Sequence, residues 1–221
     1  MKNEKFTPED NYLKKIKNFI FEYEKNNKNL NILEFGVREG RSTKIFLDIC
    51  RENGGKLLSV DIDDYSNLFK DENWTFLKSR DDDYKKVSNL FTEKFDIILI
   101  DSLHEPNHVA KLIYLYWQHL NVRGSMYIDD ISWLPYIEGS WRDHEYTENI
   151  NKNTFFKILE IQNSNFNSMD LTFNFNGSGM CRIIKVSDDN LIKYKIIKNR
   201  NMLFKNNIKK LLHKLKIFKR G

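Results

Sequence analysis

The 221-residue sequence predicts an α/β fold built on a mostly parallel sheet, and three observations carry that prediction. Short apolar runs alternate with helix-period segments from about residue 30 to 130. The runs, DIILI (96–100) above all, are apolar without alternation, as strands covered by helices on both faces must be. Several of them end in an acid, at Asp61, Asp101 and Asp129.

Residues 10–25 place Leu13, Ile16, Ile20 and Phe21 at helical spacing, so a helix leads the chain. NILEF (31–35) is a buried strand, followed by a glycine-containing turn and a helix that GG (54–55) terminates. KLLSVD (56–61) and WTFLK (74–78) are strands. DDDYKKVSNLF (81–91) is a helix with acids in its first turn, where the helix dipole favours them. KFDIILID (94–101) is the strongest strand. Helix PNHVAKLIYLYWQHL (106–120) and strand RGSMYID (123–129) follow. Beyond them lie an aromatic loop, a helix over 150–163, and the strands DLTFNF (170–175) and GMCRIIKV (179–186), close enough for an antiparallel hairpin. The sum is a Rossmann-like, doubly wound sheet with a C-terminal antiparallel hairpin and a basic amphipathic tail helix.

Composition excludes several classes. The N-terminus carries no signal-like apolar stretch, and no run approaches the ~20 apolar residues that cross a bilayer, so the expected location is cytoplasmic. Two cysteines, Cys50 and Cys181, are too few for a disulfide framework or a four-cysteine zinc site. Eleven of the 36 basic residues lie in 193–221, which holds no acid, leaving 25 basic against 31 acidic side chains in residues 1–192. The organisation expected is therefore an acidic body over 1–192 and a basic tail over 193–221.

In an open α/β sheet, ligands bind beyond the carboxyl ends of the strands. Glycines at 36 and 40 let the backbone pass close to a ligand, and an acid ending the second strand, Asp61, can accept both hydroxyls of a ribose. The G-x-G-x-x-G fingerprint and the Gly-Lys-Ser/Thr of a P-loop are both absent. A nucleoside without a phosphate requirement fits better.

LEFGVREGRST, the acid in SVDIDD, FDIILIDSLH and MYIDDI together resemble the class I S-adenosylmethionine-dependent methyltransferases. Within them the resemblance is to the metal-dependent O-methyltransferases of the macrolide-sugar O-methyltransferase and cephalosporin-hydroxylase-like branch, over about residues 30–135. The resemblance implies that Glu34, Gly36, Gly40 and Ser42 lie along the methionine part of the cofactor, that Asp61 holds the ribose, that Arg80 and Asp81 border the adenine, and that Asp101 closes this site. It also implies that Asp101, Asp129 and Asp130 hold a divalent cation. Carboxylate-only ligation suits Mg²⁺ or a similar hard ion, which lowers the pKa of a coordinated hydroxyl. His104, three residues after Asp101, is the expected general base, because imidazole titrates near neutrality. His144 is the reserve candidate.

The expected activity is methyl transfer to a hydroxyl of a sugar, glycoconjugate or small natural product. A metal-independent methyltransferase with structural acids, and a non-catalytic membrane-binding protein on the same fold, remain open. Residues 104–108, HEPNH, formally match the zinc-protease H-E-x-x-H, but Pro106 biases Glu105 away from helical geometry. The stretch 131–146 offers Trp133, Tyr136, Trp141 and Tyr146 either to cover an acceptor or to pack on the sheet. In the tail, Ile208, Leu211, Leu212, Leu215 and Phe218 form one apolar stripe flanked by lysines. It can dock on the body or a second subunit, or lie in an anionic membrane surface, the reading favoured here. The stripe would have no task on a nucleic acid.

Overall fold

The computed structural model describes residues 8–134, 145–198 and 204–214. Helix α1 (Pro8–Ile16) runs into a π-helical segment, Lys17–Phe21, and a short α2 (Glu22–Glu24). Then come β1 (Leu30–Phe35), α3 (Arg41–Asn53), β2 (Gly55–Asp61), β3 (Trp74–Lys78), α4 (Tyr84–Ser88) and β4 (Phe95–Ile100). Helix α5 (Pro106–Tyr116) passes through a 3-10 turn into β5 (Leu120–Asp129), followed by α6 (Glu145–Ser164), β6 (Met169–Asn174), β7 (Met180–Lys185) and α7 (Phe204–Lys214).

The seven strands form one sheet in the order β3-β2-β1-β4-β5-β7-β6. Strands β1 to β5 pair in parallel, and β7 pairs antiparallel with both β5 and β6. The crossover from β3 back to β4 reverses the winding beside β1, and that switch point opens a crevice at the strand ends.

Unbroken apolar runs work here because both faces are covered. Ile32, Ile97 and Leu99 face a core shared with Ile16, Phe46 and Leu47, on the side of α1 and α3. Leu33, Ile98 and Ile100 face the opposite core with Leu112, Tyr116 and Ile158, on the side of α5 and α6. Successive residues alternate between two buried layers, so no position on these strands tolerates a polar side chain without a partner.

Two elements differ from the sequence reading. The helix expected over 81–91 is confined to Tyr84–Ser88. Asp83 caps it, its side chain accepting from the Lys86 N–H, while Asp81 and Asp82 are drawn off to partners on α5. The tail does not begin at 193 as a separate piece. The Tyr194 N–H donates to Tyr114 Oη (3.0 Å), Lys195 N–H to Ser164 Oγ (3.0 Å) and Ile197 N–H to Glu160 (3.2 Å), so the chain is laid on the body through Ile197. No helix among the described residues is long and apolar enough to cross a membrane.

Candidate active site

A cleft of about 570 Å³ lies at the carboxyl ends of β1, β2, β3, β4 and β5. Its floor begins where β1 turns. Gly36 takes φ +93°, and a Cβ there would lie 2.1 Å from the Asp101 carbonyl oxygen, so only glycine lets β1 and β4 leave the sheet this close together. Asp61 closes the same turn. Its carboxylate accepts the Val37 N–H at 2.7 Å and the Asp63 N–H at 3.0 Å, which fixes the loop that forms one wall.

The sequence reading placed Glu34 and Gly40 against a ligand, and the structure corrects both. Glu34 is fully buried beneath the wall, accepting from Ser42 Oγ (2.6 Å), Ser59 Oγ (2.7 Å) and Thr43 Oγ1 (2.8 Å). Burial pushes its carboxyl up to about 7, against the downward pull of the three hydroxyls. It braces β1 against α3 and leaves Ser42 as the residue of this group on the cleft wall. Gly40 is the left-handed residue that turns the chain into α3, and it is packed against Phe69 and Leu68.

At the β3 end, Ser79, Arg80 and Asp81 line the cleft. Arg80 is turned along the rim to Asp82 (2.8 Å). Asp81 accepts from Ser102 Oγ and pairs with His108 Nε2 (2.9 Å), two partners the sequence did not suggest. Among the described residues, Ser79 Oγ is the buried side-chain polar atom without a hydrogen-bond partner. A buried hydroxyl left unpaired on a cleft wall fits a polar ligand that supplies the missing bond.

The acids from β4 and β5 gather at the other end. His104 Nε2 lies 3.6 Å from Asp101 Oδ1 and 3.6 Å from Asp130 Oδ2. Asp130 adopts φ +58°, and its N–H is tied to the Gly179 carbonyl of the β6–β7 hairpin (3.1 Å). Of the two neighbouring carboxylates, Asp129 meets Lys15 and Asp130 meets His104. Burial and the nearby Asp129 hold the Asp101 carboxyl well above the usual carboxylate range, with Lys15 opposing them.

Lys15 and Tyr12, both from α1, reach this end of the cleft, which the sequence reading did not foresee. Lys15 Nζ pairs with Asp129 Oδ1, and Tyr12 Oη donates to Asp101 Oδ2 at 2.6 Å. The oxygen donors of Asp101, Asp129 and Asp130 suit a hard divalent ion, but one oxygen each of Asp101 and Asp129 already has a protein partner. Among the described residues, the acids and histidine whose ligand atoms lie within 4.8 Å of one another are Asp81, Asp82 and His108, not the expected trio. That tighter group reads as structural, because Asp82 is bound to Arg80 and Lys111 and Asp81 to Ser102 and His108.

His104 and His108 do not share a metal-binding helix face. Glu105 is an extended N-cap (ψ 131°) and Pro106 opens α5, which disposes of the protease pattern. Trp133 packs with Phe155 (4.2 Å between ring centroids) and Phe156 (5.8 Å) instead of on the cleft wall. His144, Tyr136 and Trp141 lie outside the described residues, as do Leu215 and Phe218 of the tail.

The sheet order and the crevice at its switch point are those of a Rossmann-like, doubly wound α/β fold. Residues 33–131 match the family described as "Methyltransferase domain". The fold is similar to that of the MycE methyltransferase of the mycinamycin biosynthetic pathway, solved with Mg, SAH and mycinamycin VI, at 18% identity and TM-score 0.56 over 76% of this chain and 48% of that one. The chain thus spans about half the length of MycE. Similar folds are found in a Staphylococcus aureus protein described as a caffeoyl-CoA O-methyltransferase (18% identity, TM-score 0.58, 79% and 82% of the two chains) and in SAH-bound PaMTH1 of Podospora anserina (12%, 0.57, 75% and 75%). No curated protein matches the sequence.

Proposed function

We propose that the chain transfers the methyl group of S-adenosylmethionine to a hydroxyl of a sugar, glycoconjugate or other small natural product, assisted by a divalent cation such as Mg²⁺. The observation that carries this reading is His104, set between Asp101 and Asp130 at 3.6 Å from each on the wall of the cleft. An imidazole so placed takes the proton of an acceptor hydroxyl, and the Asp130 carboxylate beside it stabilises the imidazolium that forms. Asp61 offers acceptor oxygens for the ribose, Ser79 offers an unpaired hydroxyl, and Gly36 lines the same cleft. Asp101, Asp129 and Asp130 would hold the cation, which supplies Lewis-acid polarisation of the acceptor oxygen when bound. MycE, whose structure contains Mg, SAH and mycinamycin VI, supports the acceptor class and the ion by analogy.

A metal-independent transferase is the second reading, favoured by the ammonium of Lys15 already seated on Asp129. Methyl transfer to a panel of hydroxylated sugars and lipids, with and without EDTA, separates the two. Turnover that stops with chelator and returns with Mg²⁺ supports the first, and full turnover in excess EDTA rejects it.

The basic segment 193–221 is proposed to bring the enzyme to an anionic, cytoplasm-facing membrane surface. On α7, Phe204, Ile208 and Leu211 are 79%, 42% and 58% exposed, an apolar row without cover among lysines.

A further inference from the structure

Lys15 is 1% exposed at its side chain, and so sits where an ammonium survives only with an anion and a full set of acceptors. Asp129 and Ser178 Oγ (2.6 Å) provide them. One helical turn earlier, Tyr12 donates to Asp101 at 2.6 Å. Residues three apart share one face of a helix, so a single turn of α1 satisfies two of the three acids at the end of the cleft. The pairing spans 114 residues of sequence for Lys15 and 89 for Tyr12, and it is made from an element outside the strand-end machinery.

The chain changes its winding directly after Lys15. Lys17–Phe21 is π-helical, a winding that concentrates at functional sites, and it joins α1 to the buried Phe19 and Ile20. A divalent ion at Asp129 and a buried ammonium on the same carboxylate would repel each other strongly in a site that excludes water.

We propose that Lys15 is the resident cation of the Asp101–Asp129–Asp130 cluster, and that helix α1 and a divalent ion compete for Asp129. The ion enters as Lys15 withdraws, and Tyr12 leaves Asp101 in the same movement. Without the ion, α1 keeps the acids from repelling one another apart. This inference rests on the cation-assisted reading above.

Two measurements on the full chain test it. Free Mn²⁺ is titrated by electron paramagnetic resonance against the wild type, Lys15→Met and Asp129→Asn, with S-adenosylhomocysteine affinity measured alongside. Lys15→Met should bind Mn²⁺ at least tenfold more tightly than the wild type, and Asp129→Asn should lose most of the binding. In the wild type alone, Mg²⁺ should speed amide hydrogen exchange across residues 8–16, a readout that stands even if a variant fails to fold. Equal Mn²⁺ affinity in the wild type and Lys15→Met, with loss in Asp129→Asn, overturns the competition and keeps the cation site. No Mn²⁺ binding in any form overturns both, while retained S-adenosylhomocysteine binding leaves the methyltransferase itself standing. Exchange over 8–16 that is unchanged or slowed by Mg²⁺ also overturns the competition.

Discussion

Gly36 and the backbone of Asp101 are packed so closely that a Cβ on the glycine would lie 2.1 Å from the aspartate's carbonyl oxygen. A side chain at 36 therefore strikes the β1–β4 junction itself. Gly36→Ala should destabilise the fold by roughly 1–3 kcal/mol through strain at φ +93° and overpacking, read as a lower urea midpoint with an unchanged slope. Wild-type stability in this variant would show that the junction relaxes freely.

His104→Ala should lower turnover about 10²–10⁴-fold at neutral pH, the usual worth of a positioned base. Activity should partly recover at higher pH, where more acceptor hydroxyl ionises unaided. S-adenosylhomocysteine affinity, measured by calorimetry, should stay near the wild-type value. A larger effect of His144→Ala would transfer the role of base to that residue.

Glu34 gives a stability prediction with a definite sign. Its carboxyl is ordinarily near 4.5 and is pushed up to about 7 in the folded protein, so between those values the native state holds a proton that the unfolded chain has lost. The contribution is complete below the ordinary value and disappears as pH rises through about 7, on the order of 3 kcal/mol over the window. Urea midpoints of wild type and Glu34→Gln at pH 5 and pH 8 test this. The wild type should lose stability relative to the variant on going to pH 8, and parallel profiles would reject the buried-acid account.

The tail should bind anionic but not neutral vesicles in a sedimentation assay, each basic residue near the surface adding ~1 kcal/mol. Truncation after Arg200 should abolish that binding. Equal sedimentation of both forms rejects the membrane role, and a change in oligomeric state on truncation would assign the apolar row to a second subunit.

The parallel sheet was legible because its signals are local. DIILI carries its own burial on both faces, and β3 (Trp74–Lys78) matches the sequence reading residue for residue. Strand ends mark the cleft by topology alone, so the sequence could nominate Ser42, Asp61, Arg80, Asp81, Asp101, His104 and Asp129, all of which line the one cleft. Adjacency to a strand end did not say which way a side chain points. Glu34 follows the same rule of position yet turns into the protein, because Ser42, Thr43 and Ser59 converge on it from α3 and β2.

The sequence by itself determined the layered sheet, the acids at its carboxyl end and the histidine beside them, since each depends on neighbours a few residues away. Only the tertiary structure decided what those acids hold. Lys15 looks like one more surface lysine on an amphipathic helix, and nothing near it in the chain announces Asp129, 114 residues on. The pairing arises because packing Ile16, Phe19 and Ile20 against the sheet carries the adjacent ammonium into the interior beside Asp129, where a buried charge must find its opposite.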